Sequence, residues 1–271
     1  MASAVVLAQT CHAAYTWMVP EMYRSVTLGT TRQLLAFHRT LMDYVGTRHA
    51  LGSYVRHLWI GPVQANYSIC DMRAVAKDRP TEYAVSDIIC ACSSLRALSI
   101  INATPDVIGV FVSKIPATVE TLYVGQVFRS VSWDWRGMPC YPRLRRLVTC
   151  EFCGYWSPAM YRAIISSPHL RICRRYIYSV AGLPQHVLNR FDRVTKVADT
   201  LERMEMVACL ICLVADAEVE GKVRLQYEDV LKATISPDRL FIEVSPMDKK
   251  YFRNHFYTNI YNDWVRHADE V

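Results

Sequence analysis

The sequence predicts an α/β fold: a mainly parallel sheet assembled from repeated units, with helices on its other side. Two observations carry that expectation. Five short segments, 55–60, 95–100, 119–124, 144–149 and 170–175, share an apolar-x-x-apolar pattern. Their central residues are Leu58, Leu98, Leu122, Leu147 and Cys173, separated by 40, 24, 25 and 26 residues. The last three intervals fall inside the roughly 20–29-residue period of leucine-rich repeats. The second observation is the material between the segments, which carries helical spacing bounded by Ser, Thr and Pro. One helix–turn–strand unit cannot bury its own apolar face, so stacked neighbours must complete the core. The signature asparagine of such repeats is mostly missing, with Asn102 the one candidate. The expected architecture is therefore an irregular leucine-rich-repeat-like solenoid.

The elements follow in order. In each strand the central residue points one way and its neighbours the other. Leu58, Leu98, Leu122 and Leu147 are expected in the core, while Trp59, Ser99, Tyr123 and Val148 are expected to line an open surface. Residues 83–90 carry apolar positions at helical spacing, and Cys92-Ser-Ser follows. Residues 106–115 repeat this, with Thr104-Pro105 as a start and Pro116 as a stop. Ser157-Pro158 opens a helix over 159–165, which Ser166-Ser167-Pro168 closes. Beyond Tyr176 the pattern loosens. Residues 183–191, 193–203 and 225–232 read as helices; 206–214 and 239–244 read as strands. Residues 247–257 and 260–268 read as two helices carrying Tyr251, Phe252, Phe256, Tyr257, Tyr261 and Trp264. They are expected to form the atypical terminal unit that seals a repeat array.

Composition narrows the class. Hydrophobic residues are 52% of 271 and charged residues 21%, which supports a core and excludes wholesale disorder. The longest apolar run, 206–215, is ten residues and too short to span a bilayer, so no membrane is expected. MASAVVLAQ has no basic stretch before it, so no secretory signal is expected. The ten cysteines then read as reduced thiols, and the compartment as cytoplasmic or nuclear. Cys150–Cys153 and Cys209–Cys212 have C-x-x-C spacing, but the pairs are 55 residues apart. Cysteines three apart on a strand point to opposite faces, so small core hydrophobes are the expected role and no metal is expected.

No glycine-rich phosphate loop, H-E-x-x-H or G-x-S-x-G occurs, and the eight histidines show no metal spacing. No catalytic residue and no cofactor are expected, so the chain reads as a non-enzyme. Trp133 and Trp135 flank Asp134 and are expected to be buried beneath a loop. The net charge of +6 permits an acidic partner without requiring nucleic acid. Arg143, Arg145, Arg146, Arg162, Arg171, Arg174 and Arg175 fall within 33 residues and suit carboxylate or phosphate recognition. Arg146 and Arg174 should sit diagonally on one face, within reach of a single acidic group. The expected partner-binding residues are thus Trp59, Tyr123, Arg146 and Arg174. An enzyme using the thiols and a basic nucleic-acid binder are the alternatives.

The N-terminal stretch AQTCHAAYTWMVPEMYRSVTL, residues 8–28, resembles the end of an F-box in fungal F-box/leucine-rich-repeat-like proteins. There a helix ends in an aliphatic-Pro-x-aliphatic-Tyr motif before a short strand. Val19-Pro20-Glu21-Met22-Tyr23 holds that place here, with 24–28 as the strand and 32–37 opening the next helix. Residues 263–268, DWVRHA, are similar to that family's terminal helix. The usual Leu-Pro opening is absent, so the F-box is expected to be incomplete. The resemblance implies a substrate receptor of a ubiquitin ligase, a protein–protein interaction module. A Skp-type adaptor is the partner it implies, and an incomplete F-box argues against that contact. The implied organisation is an F-box-like segment at 1–50, repeat units at 51–180, and atypical repeats with a cap at 181–271.

Overall fold

A computed structural model of the chain describes residues 10–44, 50–63, 79–101, 110–127, 135–152, 167–179, 202–211, 225, 240–247 and 252–268. Helix α1 is His12–Arg24, strand β1 is Ser25–Leu28 and helix α2 is Thr31–Asp43. A 3-10 turn at Leu51–Tyr54 leads to β2, His57–Ile60. Helix α3, Arg79–Ala91, precedes β3, Ala97–Ile100. Then come β4, Thr121–Val127; β5, Arg146–Phe152; β6, Ile172–Ser179; β7, Arg203–Ile211; β8, Leu240–Met247; and helix α4, Phe252–His267.

The eight strands form one sheet in chain order, β1 to β8, and every neighbouring pair is parallel. This is an open α/β sheet. Its pairing puts Val26, Leu58, Leu98, Leu122, Leu147, Cys173, Met204 and Leu240 in one register row. The five expected central residues are therefore true equivalents, and the row continues one strand before them and two beyond. The sheet runs through all three segments implied by the resemblance.

Local chemistry explains the helices. The Thr30 hydroxyl accepts the Gln33 N–H at 3.2 Å, and the Gln33 side chain accepts the Gly29 N–H at 2.9 Å. This reciprocal cap starts α2. Leu34, Phe37 and Leu41 recur at helical spacing and are buried against the sheet. Ile88 and Ile89 of α3 join the same core with Leu58, Leu98, Leu122 and Leu147. Leu122 is 2% exposed, as the strand alternation requires. Truncating it to alanine is expected to cost about 2–5 kcal/mol, read as a lower urea midpoint, because the cavity lies inside a packed layer.

Five expectations are corrected. Arg24 closes α1 rather than opening β1, since Pro20 lies inside the helix and does not end it. The helix expected at 83–90 starts earlier, at Arg79. Strand β7 begins at Arg203, where pairing with Ile172 of β6 sets its start, and β8 continues through Pro246 to Met247. Proline is tolerated there because β8 is the last strand in the sheet among the described residues, and an edge strand can spare an N–H. The two expected C-terminal helices are one, α4, since no glycine or proline interrupts 252–267.

A larger correction concerns the layers. Helices are not confined to one side. α4 covers the second face of the sheet, packing Phe256, Tyr257, Ile260, Trp264 and Ala268 on Trp59, Ala97, Tyr123, Val148, Cys150 and Tyr176. The second set of strand residues does share a face, but it is core, not surface. The expected helices at 159–165 and 183–191, residues 226–232 of the one at 225–232, residues 106–109 of the one at 106–115 and most of 193–203 lie outside the described residues, as does Trp133; residues 110–112 are helical, as expected. Trp135 is buried, as expected. Among the described residues, no helix is long and apolar enough to cross a membrane.

Candidate functional site

The four expected partner-binding residues meet beneath α4. Strand alternation places Trp59 of β2, Tyr123 of β4, Arg146 of β5 and Arg174 of β6 on one face. Register pairs Val148 with Arg174, so Arg146 lies one alternation back on the next strand. The two arginines are diagonal neighbours, and both reach one carboxylate. That carboxylate belongs to the chain itself: it is Asp263 of α4.

Asp263 is 5% exposed and ties three strands together. The Tyr123 hydroxyl donates to its Oδ2 at 2.7 Å. Arg146 Nη2 lies 3.5 Å from both of its oxygens. Arg174 Nη1 is 3.4 Å from Oδ1, and His267 Nε2 is 3.5 Å from Oδ1 one helical turn on. Arg174 also reaches Glu205 of β7 at 2.7 Å and Glu243 of β8 at 3.5 Å. Its guanidinium stacks over the Tyr176 ring at 5.1 Å. Buried Arg146 and half-buried Arg174 thus face two buried acids, Asp263 and Glu205, with exposed Glu243 at the rim.

The electrostatics follow from that enclosure. Burial pushes the Tyr123 phenol well above its ordinary pKa, and the adjacent Asp263 charge pushes it the same way. The phenol therefore stays a proton donor to Asp263. For Arg174 burial alone would lower the pKa, but Tyr176, Asp263, Glu205 and Glu243 together raise it. Arg174 stays charged. The arrangement can hold a helix against a sheet.

Aromatic packing surrounds the polar centre. Trp59 meets Tyr261 edge-on at 5.0 Å and Trp264 at 5.7 Å. Trp264 stands edge-on to Tyr123 at 5.2 Å. The Trp59 indole N–H donates to the Gly61 carbonyl at 2.8 Å, so its polar atom is satisfied inside the core. Gly61 makes that turn at φ 147°, and a side chain there would lie 2.8 Å from the Ile101 carbonyl.

Trp59 and Tyr123 are fully buried and Arg146 is 6% exposed, so the expectation of an open surface at these residues is corrected. In this structure their partner is α4. Sequence reasoning missed Asp263. A signal was present: an acid sits on the same helix stripe as Phe256, Ile260 and Trp264, and a buried acid requires a buried cation.

Cys92, Cys140, Cys150 and Cys173 are buried, and burial pushes Cys92 and Cys140 up to about 12. A thiol with so high a pKa is essentially never a thiolate near neutral pH. Cys11 and Cys90 are exposed. Iodoacetamide at pH 8 should therefore label Cys11 and Cys90 and spare the four buried cysteines until denaturant is added. Peptide mapping by mass spectrometry checks this. Cys153 and Cys212 lie outside the described residues, and among the described residues no three His, Cys, Asp or Glu groups converge as a metal site.

A scan against protein-family models finds no match for the chain, and a search of curated proteins finds none either.

Proposed function

We propose that this chain is a non-enzymatic protein–protein recognition module, a leucine-rich-repeat-like solenoid of the degenerate F-box-type substrate-receptor kind. One observation carries the reading. Eight parallel strands follow one another in chain order, with a single row held in register across all of them. Stacked units of this kind present long, regular surfaces suited to binding extended partners. The passage from α1 through Pro20 and Tyr23 into β1 supports the F-box-like resemblance at the N-terminal end. Burial of Cys92, Cys140, Cys150 and Cys173 argues against these four as the nucleophile of the thiol-enzyme alternative.

Proximity labelling with the chain as bait, followed by titration of each recovered protein against the purified chain, tests the reading. Recognition predicts at least one direct ligand at micromolar affinity or better, whether or not a Skp-type adaptor binds. If no recovered protein binds the purified chain directly, the reading fails. Turnover of a thiol-reactive substrate that is lost on a cysteine-to-serine change would replace it with the enzyme alternative.

A further inference from the structure

We infer that the N-terminal edge of the sheet is a docking site for an extended acidic protein segment. The inference rests on the recognition reading and names the chemistry of its partner.

The residue just before each of the first seven strands is charged: Arg24, Arg56, Arg96, Glu120, Arg145, Arg171 and Glu202. These seven are structural equivalents. Arg56 N–H donates to the Arg24 carbonyl at 2.9 Å, Arg96 to Arg56 at 2.8 Å, and Glu120 to Arg96 at 2.8 Å. Arg145 donates to Glu120 at 2.8 Å, Arg171 to Arg145 at 2.8 Å, and Glu202 to Arg171 at 2.9 Å. The edge is therefore a continuous row of charged positions, spaced about 4.8 Å apart as neighbouring strands are.

The row is basic and only partly neutralised. Five arginines face two glutamates. Glu120 bridges Arg96 at 2.8 Å and Arg145 at 3.4 Å, and Glu202 holds Arg171 at 2.7 Å. Glu21 stands 3.9 Å from Arg24. Among the described residues no carboxylate pairs with exposed Arg56 or with exposed Arg143 beside the row. Arg56 instead donates to the Ser94 carbonyl at 3.2 Å, which leaves its charge uncompensated among the described residues.

Two depressions open along this edge, one on each side of Glu120. One, of about 470 Å³, is lined by Arg24, Tyr54, Arg56 and Arg96, with Glu21 beside Arg24. The other, of about 680 Å³, is lined by Arg143, Arg145, His169 and Arg171, with Glu120 and Glu202 at its sides, so that Arg143 is its arginine with no carboxylate partner among the described residues. Each gathers guanidinium forks suited to carboxylates. From Arg56 to Arg145 is three strand spacings, about 14 Å, which an extended chain covers in about four residues. The partner segment thus carries acidic residues about four apart, with a neutral stretch over Glu120.

The acids in the row favour a peptide over nucleic acid. A phosphate backbone is uniformly charged and would lay negative charge on Glu120 and Glu202, whereas a peptide can place its acids selectively. Base stacking needs a run of exposed aromatics, and Tyr54 is the one aromatic lining either depression among the described residues.

The test uses the full chain and a fluorescein-labelled peptide with two Glu-Glu pairs separated by three neutral residues, read by polarisation. Arg56→Gln and Arg145→Gln should each weaken binding about tenfold, as loss of one charge-assisted contact implies. Their combination should abolish it, while Arg266→Gln on the exposed side of α4 should change nothing. Melting curves matching the parent show that the variants fold. Equal binding by the double variant overturns the inference, as does tighter binding of a single-stranded RNA oligomer than of the peptide. If a partner recovered by proximity labelling binds the double variant as tightly as the parent, the edge is wrong and the recognition reading stands. If neither peptide nor any recovered protein binds, both fall.

Discussion

Asp263→Ala is expected to lower stability by about 3–5 kcal/mol, the penalty for removing one partner of a buried ion pair. Most of the loss falls on Arg146. That side chain is nearly enclosed, its Nε makes no hydrogen bond, and Asp263 is its one carboxylate among the described residues. Arg174 suffers less, because Glu205 and Glu243 remain. Tyr123 loses its 2.7 Å acceptor as well. Two further variants separate charge from packing. Asp263→Asn keeps an acceptor for Tyr123 and should cost less. Combining Asp263→Ala with Arg146→Met removes the stranded cation and should recover much of the loss, since apolar replacement of a buried pair is often tolerated. Urea midpoints of the four proteins check this, and an Asp263→Ala midpoint equal to that of the parent would exclude a buried pair.

Trp264→Ala should cost about 3–5 kcal/mol by the same measurement. Trp264 is 4% exposed and stands between Trp59 and Tyr123. Removing it leaves a cavity bounded on one side by the sheet, which is held by its own hydrogen bonds and cannot collapse to fill it. The edge-on contact with Tyr123 adds about 0.5–1.5 kcal/mol beyond area burial. Trp264→Phe keeps part of the ring contact and should recover roughly half. The loss should be confined to the α4 side, because the Leu122 layer lies across the sheet from it.

The sheet was legible where units are short and leucine-centred. Leu98, Leu122, Leu147 and Cys173 are evenly placed, 24 to 26 residues apart, Leu58 shares their motif 40 residues earlier, and strand pairing follows from adjacency. The row then continues through Met204 and Leu240, 31 and 36 residues further along at each step (204 − 173 and 240 − 204). Those intervals exceed the repeat period, so a search by spacing stops too early. Val26 was missed as a row member because Tyr23 and Val26 hold the places that an aliphatic residue and a leucine hold in the units centred on Leu58, Leu98, Leu122 and Leu147.

The candidate site was legible in half. Period-two alternation put Arg146 and Arg174 together and required an acid between them. It carried no information on which acid, because Tyr123 and Asp263 are 140 residues apart and no motif links them. The same limit hid the covered face. Trp59 and Tyr123 alternate correctly for a surface, and only the packing of α4 makes them core. The charged row was hidden for another reason. Each member sits immediately before its strand, a position that alternation rules ignore, and Glu at 120 and 202 breaks any search for a basic run.

Hydrogen exchange resolved by peptide mass spectrometry tests most directly whether α4 seals the sheet through Asp263. The parent should show residues 252–268 exchanging slowly, on the timescale of β2 to β6, because α4 opens only when the buried centre opens. In Asp263→Asn the same segment should lose protection while α2 and α3 keep theirs. Exchange of 252–268 in the parent within seconds, beside protected strands, would contradict the account.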